Sequence, residues 1–451
     1  MKYRMLIGIA ALLACPRFQA QSQSAADLTV LKGLAPVTVL LNSDEGKAAL
    51  GANYRVTGGI QTGSIAQPTL LPFAEQQRQA LQDAFVTWGN LAQLSDGLGT
   101  TLGAAYLARY HYDTAKDYTK LPPTVDELVH YAASISGAHS EAGKHLFGNG
   151  TTNGTAAVSS DAAAIVDKIG GKKDVFGQAY NLPAGTTGAD PWGDSRPYQT
   201  EASVTRFTAA DYFNNASDNS AYNYGPAMNL NKSPSYPSGH TTYGYTGAVL
   251  LAILVPERYA QMIARAAEYG NDRIIVASHY AMDVLGGRTL ALYDLAHLLA
   301  NDPAYMGLSV RGAAQIKDFQ DAVKRARGEL VPILQSGCGN TIDVCAKEDT
   351  GRFNNPAANE AFYESTQTYN LPVVYAKTAG QPEDVKRLAP EAGYLLTAAF
   401  PALTLDQADK ILTETEGPGG GFLDDGSSFG IYSRIDLYAA AERVEQTINA
   451  K

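Results

Sequence analysis

The apolar run from Thr241 to Val255 constrains the fold more than any other stretch of this 451-residue chain. This run predicts a buried helix that ends before Pro256. Two further helices are expected directly after it, from Glu257 to Tyr269 and from Ile274 to Ala300. Earlier helix-forming runs are Pro72 to Leu98 and Val125 to Leu146. The sequence therefore predicts an all-α fold with a helical bundle as its core.

The character of the chain changes near Ser336, and this change sets the predicted domain boundaries. Residues 1–26 are expected to be a signal peptide and residues 27–335 the helical domain. Residues 336–451 contain helical patches separated by a glycine-rich turn, which predicts a mostly helical C-terminal appendage packed on the core. A hydrophobic fraction of 45% and a charged fraction of 18% suit a compact globular protein with a sizeable core.

The N-terminus has the pattern of an export signal. Lys2 and Arg4 precede the apolar stretch from Met5 to Ala14, which is too short to span a bilayer. Cleavage after Ala20 or Ala26 is the expected outcome, and it predicts a soluble periplasmic or secreted protein. No later run of about eighteen apolar residues is seen, so no membrane span is expected.

The three cysteines fit an exported chain. The segment ending at Cys15 resembles a lipoprotein cleavage box, but Pro16 follows it directly, so lipid anchoring is the less favoured alternative. Cys338 and Cys345 lie close together in the sequence, and in an exported protein they are expected to form a disulfide. Two sulfurs without a nearby histidine are too few ligands for a metal site.

The net charge of −10 argues against nonspecific binding of nucleic acid, and the sequence has no run of basic residues that would favour such binding. An acidic protein that binds an anion must do so with local cations and helix N-termini, against its overall field. The oligomeric state cannot be predicted from the sequence.

The segment Tyr236-Pro237-Ser238-Gly239-His240 directly precedes the buried helix. The first turn of such a helix offers free N–H groups and a positive dipole to an anion, and glycine allows close approach of the backbone. A histidine at this position can protonate a leaving alcohol. The segment therefore predicts an anion site at a helix N-terminus.

A second motif, Arg273-x5-His279-x3-Asp283, supplies a guanidinium, an imidazole and a carboxylate. If residues 274–298 are helical, His279 and Asp283 share one face, four residues apart. The carboxylate can then hold one ring nitrogen of His279 and leave the other free to attack phosphorus. Upstream, Ser195-Arg196-Pro197 supplies another guanidinium, which binds phosphate oxygens in a planar fork.

Together these three segments resemble the type 2 phosphatidic acid phosphatase and vanadium haloperoxidase superfamily. The resemblance runs from about Asp190 to Ala300, and it is closest to the soluble bacterial class A acid phosphatases. It implies that His279 is the nucleophile, that His240 is the general acid and that Asp283 is the partner of His279. The residues that it implies for phosphate binding are Arg196, Ser238, Gly239 and Arg273.

Two positions depart from the family pattern. The residue seven before Arg196, where the family carries a phosphate-binding lysine, is Ala189, and Asp272 replaces the serine before the second arginine. The first change removes a positive charge from the site. Three lysines are candidates to replace it from rearranged loops, namely Lys172, Lys173 and Lys232.

The resemblance predicts an exported, metal-independent acid phosphatase that hydrolyses phosphomonoesters through a phosphohistidine, with a small-molecule phosphoester as substrate and no cofactor. One alternative is a vanadium-dependent haloperoxidase, in which vanadate would be the cofactor rather than an inhibitor. Another is a non-catalytic phosphate-binding protein. His139, Glu141 and His145 do not have the spacing of a metal site, and a surface helical segment is the preferred interpretation.

Substrate specificity is expected to depend on two loops, Gly170 to Pro191 and Asn214 to Tyr236. The chain has 26 tyrosines, and several near Asn214 to Tyr245 suit either a pocket for an organic leaving group or ordinary packing. The sequence leaves this choice open.

Overall fold

A computed structural model describes residues 23–65, 68–85, 88–201, 204–223 and 230–449. Most of the predicted signal peptide lies outside these ranges. Its last residues open the first helix, where the side chain of Ser24 accepts a hydrogen bond from the backbone N–H of Asp27. Cleavage after Ala20 keeps this N-cap, whereas cleavage after Ala26 removes it.

The first half of the described chain contains nine α-helices and one small hairpin. The helices are α1 (Ala25–Leu34), α2 (Asp44–Thr62), α3 (Phe73–Gln82), α4 (Thr100–Leu107), α5 (Pro123–Asn149), α6 (Ser160–Lys168), α7 (Val175–Ala179), α8 (Pro197–Thr200) and α9 (Asn219–Asn223). Strands β1 (Thr208–Ala210) and β2 (Ala216–Asp218) pair antiparallel. Three short 3-10 helices are Ala35–Asn42, Ala92–Leu98 and Leu230–Lys232.

Ten further α-helices follow in the described part of the second half. They are α10 (Gly239–Leu254), α11 (Tyr259–Ile275), α12 (Ala281–Leu299), α13 (Phe319–Cys338), α14 (Ile342–Lys347), α15 (Pro356–Thr368), α16 (Val385–Leu388), α17 (Tyr394–Thr397), α18 (Leu405–Glu414) and α19 (Leu437–Asn449). Two 3-10 helices are Pro256–Arg258 and Gly430–Ser433. The all-α prediction is confirmed.

Helices α10, α11 and α12 form the centre of the core, with α5 and α13 packed around them. Nearly every side chain of α10 is buried, as its unbroken apolar sequence predicts. Glycines let the three helices approach closely. A Cβ at Gly244 of α10 would lie 2.2 Å from the Tyr269 ring on α11, and one at Gly287 of α12 would lie 2.5 Å from the Ser238 carbonyl oxygen.

Two predicted helices are shorter in the structure. The run from Pro72 to Leu98 is helical only to Gln82, and a 3-10 helix begins at Ala92. The single helix predicted from Ile274 to Ala300 is wrong, because the chain breaks at residues 276–280 between α11 and α12.

The break between α11 and α12 is a Schellman turn. The N–H of Ser278 bonds to the carbonyl of Arg273, and the N–H of Ala277 bonds to the carbonyl of Ile274. Ala277 takes the left-handed conformation that this turn requires, with φ at +62°. Glycine usually occupies this position, so the sequence carries no obvious signal for the break.

The middle of α5 is buried, and its prediction as a surface segment is wrong. His139 joins three helices, because its ring nitrogens lie 3.1 Å from Asp27 of α1 and 2.9 Å from Asp294 of α12. These carboxylates outweigh the burial of the imidazole and raise the pKa of His139 to about 10. His139 therefore holds the first helix on the core as a cation.

The C-terminal segment packs directly on the central helices. Helices α15 and α19 contact α11, while α17 and the 3-10 helix Gly430–Ser433 contact α12. Apolar residues before and after Ser336 belong to one continuous buried cluster. Cys338 and Cys345 are joined in the structure by a disulfide, at the end of α13 and in α14.

One stretch of the described chain, Ala25–Asn42, is long and apolar enough to cross a membrane by length and composition alone. More than half of it is buried against the rest of the protein. The stretch changes from an α-helix to a 3-10 helix at Ala35. Buried core helices commonly have this length and composition.

We expect Gly287→Ala to destabilise the protein by about 1–3 kcal/mol, because the added methyl group meets a backbone carbonyl that cannot rotate away. The matched control is Gly328→Ala in α13, where an added Cβ would meet nothing within 4 Å. This change should stabilise the protein by roughly 0.5–1 kcal/mol. Urea unfolding midpoints measure both effects, and equal shifts would contradict the close contact at Gly287.

Candidate active site

The three predicted motifs meet at the N-terminus of α10. Ser238 is the N-cap of this helix, and its Oγ accepts a hydrogen bond from the N–H of Thr241 at 3.1 Å. The backbone N–H of Ser238 donates to the carbonyl of Asp283 at 3.0 Å, which fixes this end of α10 against the start of α12. Gly239 begins the helix. The first N–H groups of a helix have no acceptor within it, so this end can receive an anion.

His279 lies in the break between α11 and α12 and is completely buried. Its Nε2 is 3.0 Å from Nη1 of Arg196, which can only donate. Nε2 is therefore the unprotonated nitrogen, and Nδ1 carries the hydrogen. Nδ1 lies 3.2 Å from Ser235 Oγ and 3.4 Å from Asp283 Oδ2. The predicted contact of His279 with Asp283 exists, although the two residues do not share a helix.

Asp283 occupies the first turn of α12, and its Oδ2 has three neighbours. Besides His279, it accepts hydrogen bonds from the backbone N–H of Tyr280 at 2.7 Å and from the hydroxyl of Ser235. Burial raises the pKa of Asp283 to about 7. Ser235 was not predicted as a site residue. It directly precedes the segment Tyr236-Pro237-Ser238-Gly239-His240, and this position could have identified it.

Arg196 is fully buried, and all five of its N–H groups have acceptors in the protein. Nε donates to the carbonyl of Ser233 at 2.8 Å, and Nη2 donates to Ser233 Oγ and to the carbonyl of Pro234. Nη1 donates to the carbonyl of Ser278 at 3.0 Å and to His279. Arg196 thus ties the segment before α10 to the break before α12. To bind a phosphate it must exchange one of these partners for a phosphate oxygen.

Arg273 is also buried, but its hydrogen bonds are long. Its donors reach the carbonyls of Tyr269 and Ala80 at 3.3 Å and the hydroxyl of Tyr222 at 3.4 Å. The guanidinium stacks on the ring of Tyr269 at 4.6 Å, which holds its plane. Weak existing bonds leave this arginine more available than Arg196 to a bound anion.

His240 lies one residue into α10, with its ring centre 5.9 Å from that of His279. Its Nε2 is 2.8 Å from the hydroxyl of Tyr222. Burial, helped by the nearby cations Arg273 and Arg196, lowers the pKa of His240 well below its usual value. Burial and Arg196 lower the pKa of His279 in the same way. The neutral form of both imidazoles is therefore favoured in the free protein.

Lys144 of α5 is the lysine that the structure brings to this site. Its ammonium is buried, and a Cβ at Gly239 would lie only 3.2 Å from Nζ. Nζ lies 3.4 Å from Ser233 Oγ, and its charge contributes to the lowered pKa of both His240 and His279. Burial lowers the pKa of Lys144 itself to about 8. The three lysines proposed from the sequence all have exposed side chains, namely Lys172, Lys173 and Lys232.

Asp272, which replaces the serine of the family pattern, is involved in a separate buried cluster. Its Oδ1 accepts a hydrogen bond from Gln76 at 2.9 Å. Burial and the neighbouring carboxylates Asp83 and Glu268 raise its pKa well above the usual value. Within the described residues, no group of three or more His, Cys, Asp or Glu side chains has the geometry of a metal site.

Comparison with known proteins identifies the class to which this site belongs. Residues 189–301 match the PAP2 superfamily, so this part of the chain is a PAP2 superfamily domain. The expected resemblance is thereby confirmed. All seven predicted catalytic and phosphate-binding residues lie inside the matched segment, whereas Lys144 lies outside it.

The curated relatives are bacterial acid phosphatases. The chain is 41% identical over 69 residues to an acid phosphatase of Zymomonas mobilis subsp. mobilis, which is 15% of this chain and 26% of the relative. It is 41% identical over 125 residues to a non-specific acid phosphatase of Salmonella typhimurium, or 28% of this chain and 41% of the relative. A non-specific acid phosphatase of Salmonella typhi is 33% identical over 102 residues, which is 22% of this chain and 40% of the relative. The chain thus spans less than half the length of each of these relatives.

The protonation states of the histidines can be tested directly. We expect ¹⁵N NMR of the seven histidines at pH 6 to show His240 and His279 neutral, with the hydrogen of His279 on Nδ1, and His139 charged. A lowered pKa keeps an imidazole neutral in more acidic solution than usual, whereas the raised pKa of His139 keeps it charged up to about pH 10. Inorganic phosphate should raise the pKa of His240, because an adjacent anion favours the imidazolium. A charged His279 in the free protein would contradict the geometry.

Proposed function

We propose that this protein is a metal-independent acid phosphatase that hydrolyses phosphomonoesters through a phosphohistidine at His279. One observation carries the proposal: three buried cations converge with two neutral imidazoles at the N-terminus of α10. The cations are Arg196, Arg273 and Lys144, and the imidazoles are His240 and His279. The similarity to bacterial acid phosphatases supports the same activity.

The phosphoryl group would bind against the first turn of α10. Free N–H groups at Gly239 and the ammonium of Lys144 would contact its non-bridging oxygens on one side, and the guanidinium of Arg273 on another. The Nη1 group of Arg196 would move from His279 Nε2 to a phosphate oxygen. This exchange releases the lone pair of His279 at the moment when the phosphorus arrives.

In the first step, Nε2 of His279 attacks phosphorus while the bond from phosphorus to the ester oxygen breaks. His240 donates its proton to the departing oxygen, so the alcohol leaves neutral. The ring of the phosphohistidine keeps its hydrogen on Nδ1 and carries a positive charge. Asp283 and Ser235 stabilise that charge through their contacts with Nδ1.

In the second step, a water molecule attacks the phosphorus of the phosphohistidine. His240, now neutral, accepts the proton of the water, and the bond between nitrogen and phosphorus breaks. Nε2 of His279 recovers its lone pair, and phosphate is released. Both histidines regain the state that they had in the substrate complex, His240 loses its proton once phosphate has left, and no metal or redox partner takes part.

The low pKa of both histidines suits an enzyme that works in acid. His279 stays unprotonated and nucleophilic in more acidic solution than an ordinary histidine, because burial and Arg196 disfavour its cation and lower its pKa. His240 needs a proton before it can act as an acid. Low pH favours its protonation, and a bound phosphoryl dianion does so too, because a nearby anion raises the pKa of His240.

Export fits the same function. The N-terminal charge pattern and the disulfide between Cys338 and Cys345 support a periplasmic or secreted enzyme. The observed carboxylate and imidazole partners are those of acid–base chemistry, so we propose vanadate as an inhibitor of this enzyme rather than its cofactor.

We expect His279→Ala to reduce turnover of p-nitrophenyl phosphate by at least about a thousandfold and to abolish acid-quench labelling by a ³²P-phosphoester. The matched control is His297→Ala near the C-terminal end of α12, whose ring contacts Asp302 and Glu391 and which should leave both readouts unchanged. Labelling that persists in His279→Ala would exclude the proposed nucleophile. Activity that disappears with chelator, or halide oxidation by peroxide with added vanadate, would contradict the metal-independent phosphatase.

We expect Lys144→Met to weaken inhibition by inorganic phosphate by roughly 10- to 100-fold, the usual effect of losing one charge-assisted contact. In the parent enzyme, inhibition should also weaken as the pH rises above about 8, because the lowered pKa means that the ammonium is present below that pH and lost above it. Lys144→Met should lack this dependence, and Lys144→Arg should keep part of the affinity.

The control for this experiment is Lys173→Met, since Lys173 is exposed. A second readout separates charge from packing. Lys144→Met should raise the pKa of His240 and His279, because the ammonium lowers both. Unchanged inhibition constants together with unchanged histidine pKa values would show that Lys144 does not face the bound phosphate.

A further inference from the structure

A cavity of about 270 Å³ lies beside the proposed catalytic site and shares one residue with it. That residue is Tyr222 of α9. Aromatic side chains form much of the wall: Phe85, which follows α3, and Tyr212 and Phe213 at the tip of the β1–β2 hairpin. The Phe85 ring lies 4.5 Å from Tyr212 and 5.2 Å from Phe213, so the three rings form one cluster.

Tyr222 shows where a leaving group would point. In the proposed reaction the ester oxygen must lie within hydrogen-bonding distance of His240 Nε2. The phenol oxygen of Tyr222 now holds that position, 2.8 Å from Nε2 and 3.4 Å from Arg273 Nη1. A phenolic oxygen therefore fits between the acid and the arginine, and the group attached to it extends towards the cavity.

The size and chemistry of the cavity select among organic groups. An apolar cavity of roughly 150 Å³ is enough to hold a benzene molecule, so 270 Å³ admits one aromatic ring or two fused rings. No lysine or arginine occurs among the described residues that line it, whereas Asp113 and Asp211 do. These carboxylates repel an anionic group. Asp211 is held in place by hydrogen bonds from the N–H groups of Phe213 and Asn215, both at 2.9 Å.

We propose that this cavity is the leaving-group subsite and that it takes the uncharged aromatic alcohol of an aryl phosphomonoester. The inference rests on the proposed phosphatase function. The ester oxygen replaces the hydroxyl of Tyr222 at His240, and the aryl ring packs against Phe85, Tyr212 and Phe213. Phosphoesters whose organic part carries further phosphates or carboxylates are poor substrates.

The test compares kcat/KM for phenyl phosphate and for ethyl phosphate in the same variants, so that the different intrinsic reactivities of the esters cancel. Phe213→Ser should lower kcat/KM for phenyl phosphate about tenfold and change that for ethyl phosphate less than twofold. Phe213→Leu keeps an apolar side chain, so its kcat/KM for phenyl phosphate should lie between the values for Phe213→Ser and for the parent. The matched control is Trp88→Ser, a partly exposed aromatic residue that lines a different cavity and should change neither value.

A charge variant tests the second feature of the subsite. The parent should prefer phenyl phosphate to 4-carboxyphenyl phosphate, and Asp113→Asn should reduce this preference by about threefold at low ionic strength. Asp113 suits the test because its side chain is exposed, with the partly exposed ring of His111 at 3.6 Å as its neighbour. An unchanged ratio of phenyl to ethyl phosphate in Phe213→Ser overturns the subsite while leaving the phosphatase intact. Failure of the parent to hydrolyse either ester overturns the proposed function itself.

Discussion

The buried carboxylate of Asp283 is the interaction on which the rest of the site depends. Its Oδ2 accepts a hydrogen bond from the N–H of Tyr280, the N-cap of α12, and another from Ser235 in the segment before α10. The same oxygen lies beside the imidazole of His279, the proposed nucleophile. Burying a carboxylate destabilises a protein unless hydrogen bonds satisfy it. The buried Asp283 is therefore favourable only when Tyr280, Ser235 and His279 are all in place. The fold and the orientation of the imidazole are thus secured by the same group.

The second constraint is charge. The chain carries a net charge of −10, yet its proposed substrate is an anion. The structure concentrates Arg196, Arg273 and Lys144 around a helix N-terminus, where burial removes the water that would screen them. Lys144 comes from α5, far from the position at which the family pattern carries its lysine. A different helix thus places an ammonium beside the N-terminus of α10, where we propose that phosphate binds.

The sequence predicted the parts of the site that are local and missed those that depend on packing. Arg273, His279 and Asp283 could be found because a short motif fixes their spacing. The break at residues 276–280 could not, because Ala277 adopts a conformation that usually requires glycine. Lys144 and Tyr222 reach the site only through contacts with α10 and α11, and no local pattern marks such contacts. The buried face of α5 was missed because its charged residues pair inside the protein.

The protonation of the site follows from the same arrangement. Without substrate, burial and the neighbouring cations keep His240 and His279 neutral. A phosphoryl dianion among these cations cancels their field, and the imidazole nearest the ester oxygen then gains a proton most easily. In the proposed reaction Nε2 of His279 supplies a lone pair to phosphorus, so the proton belongs on His240, whose Nε2 lies 2.8 Å from the hydroxyl of Tyr222. In this proposal the charge of the substrate raises the pKa of His240 and so provides the acid that cleavage of the ester requires.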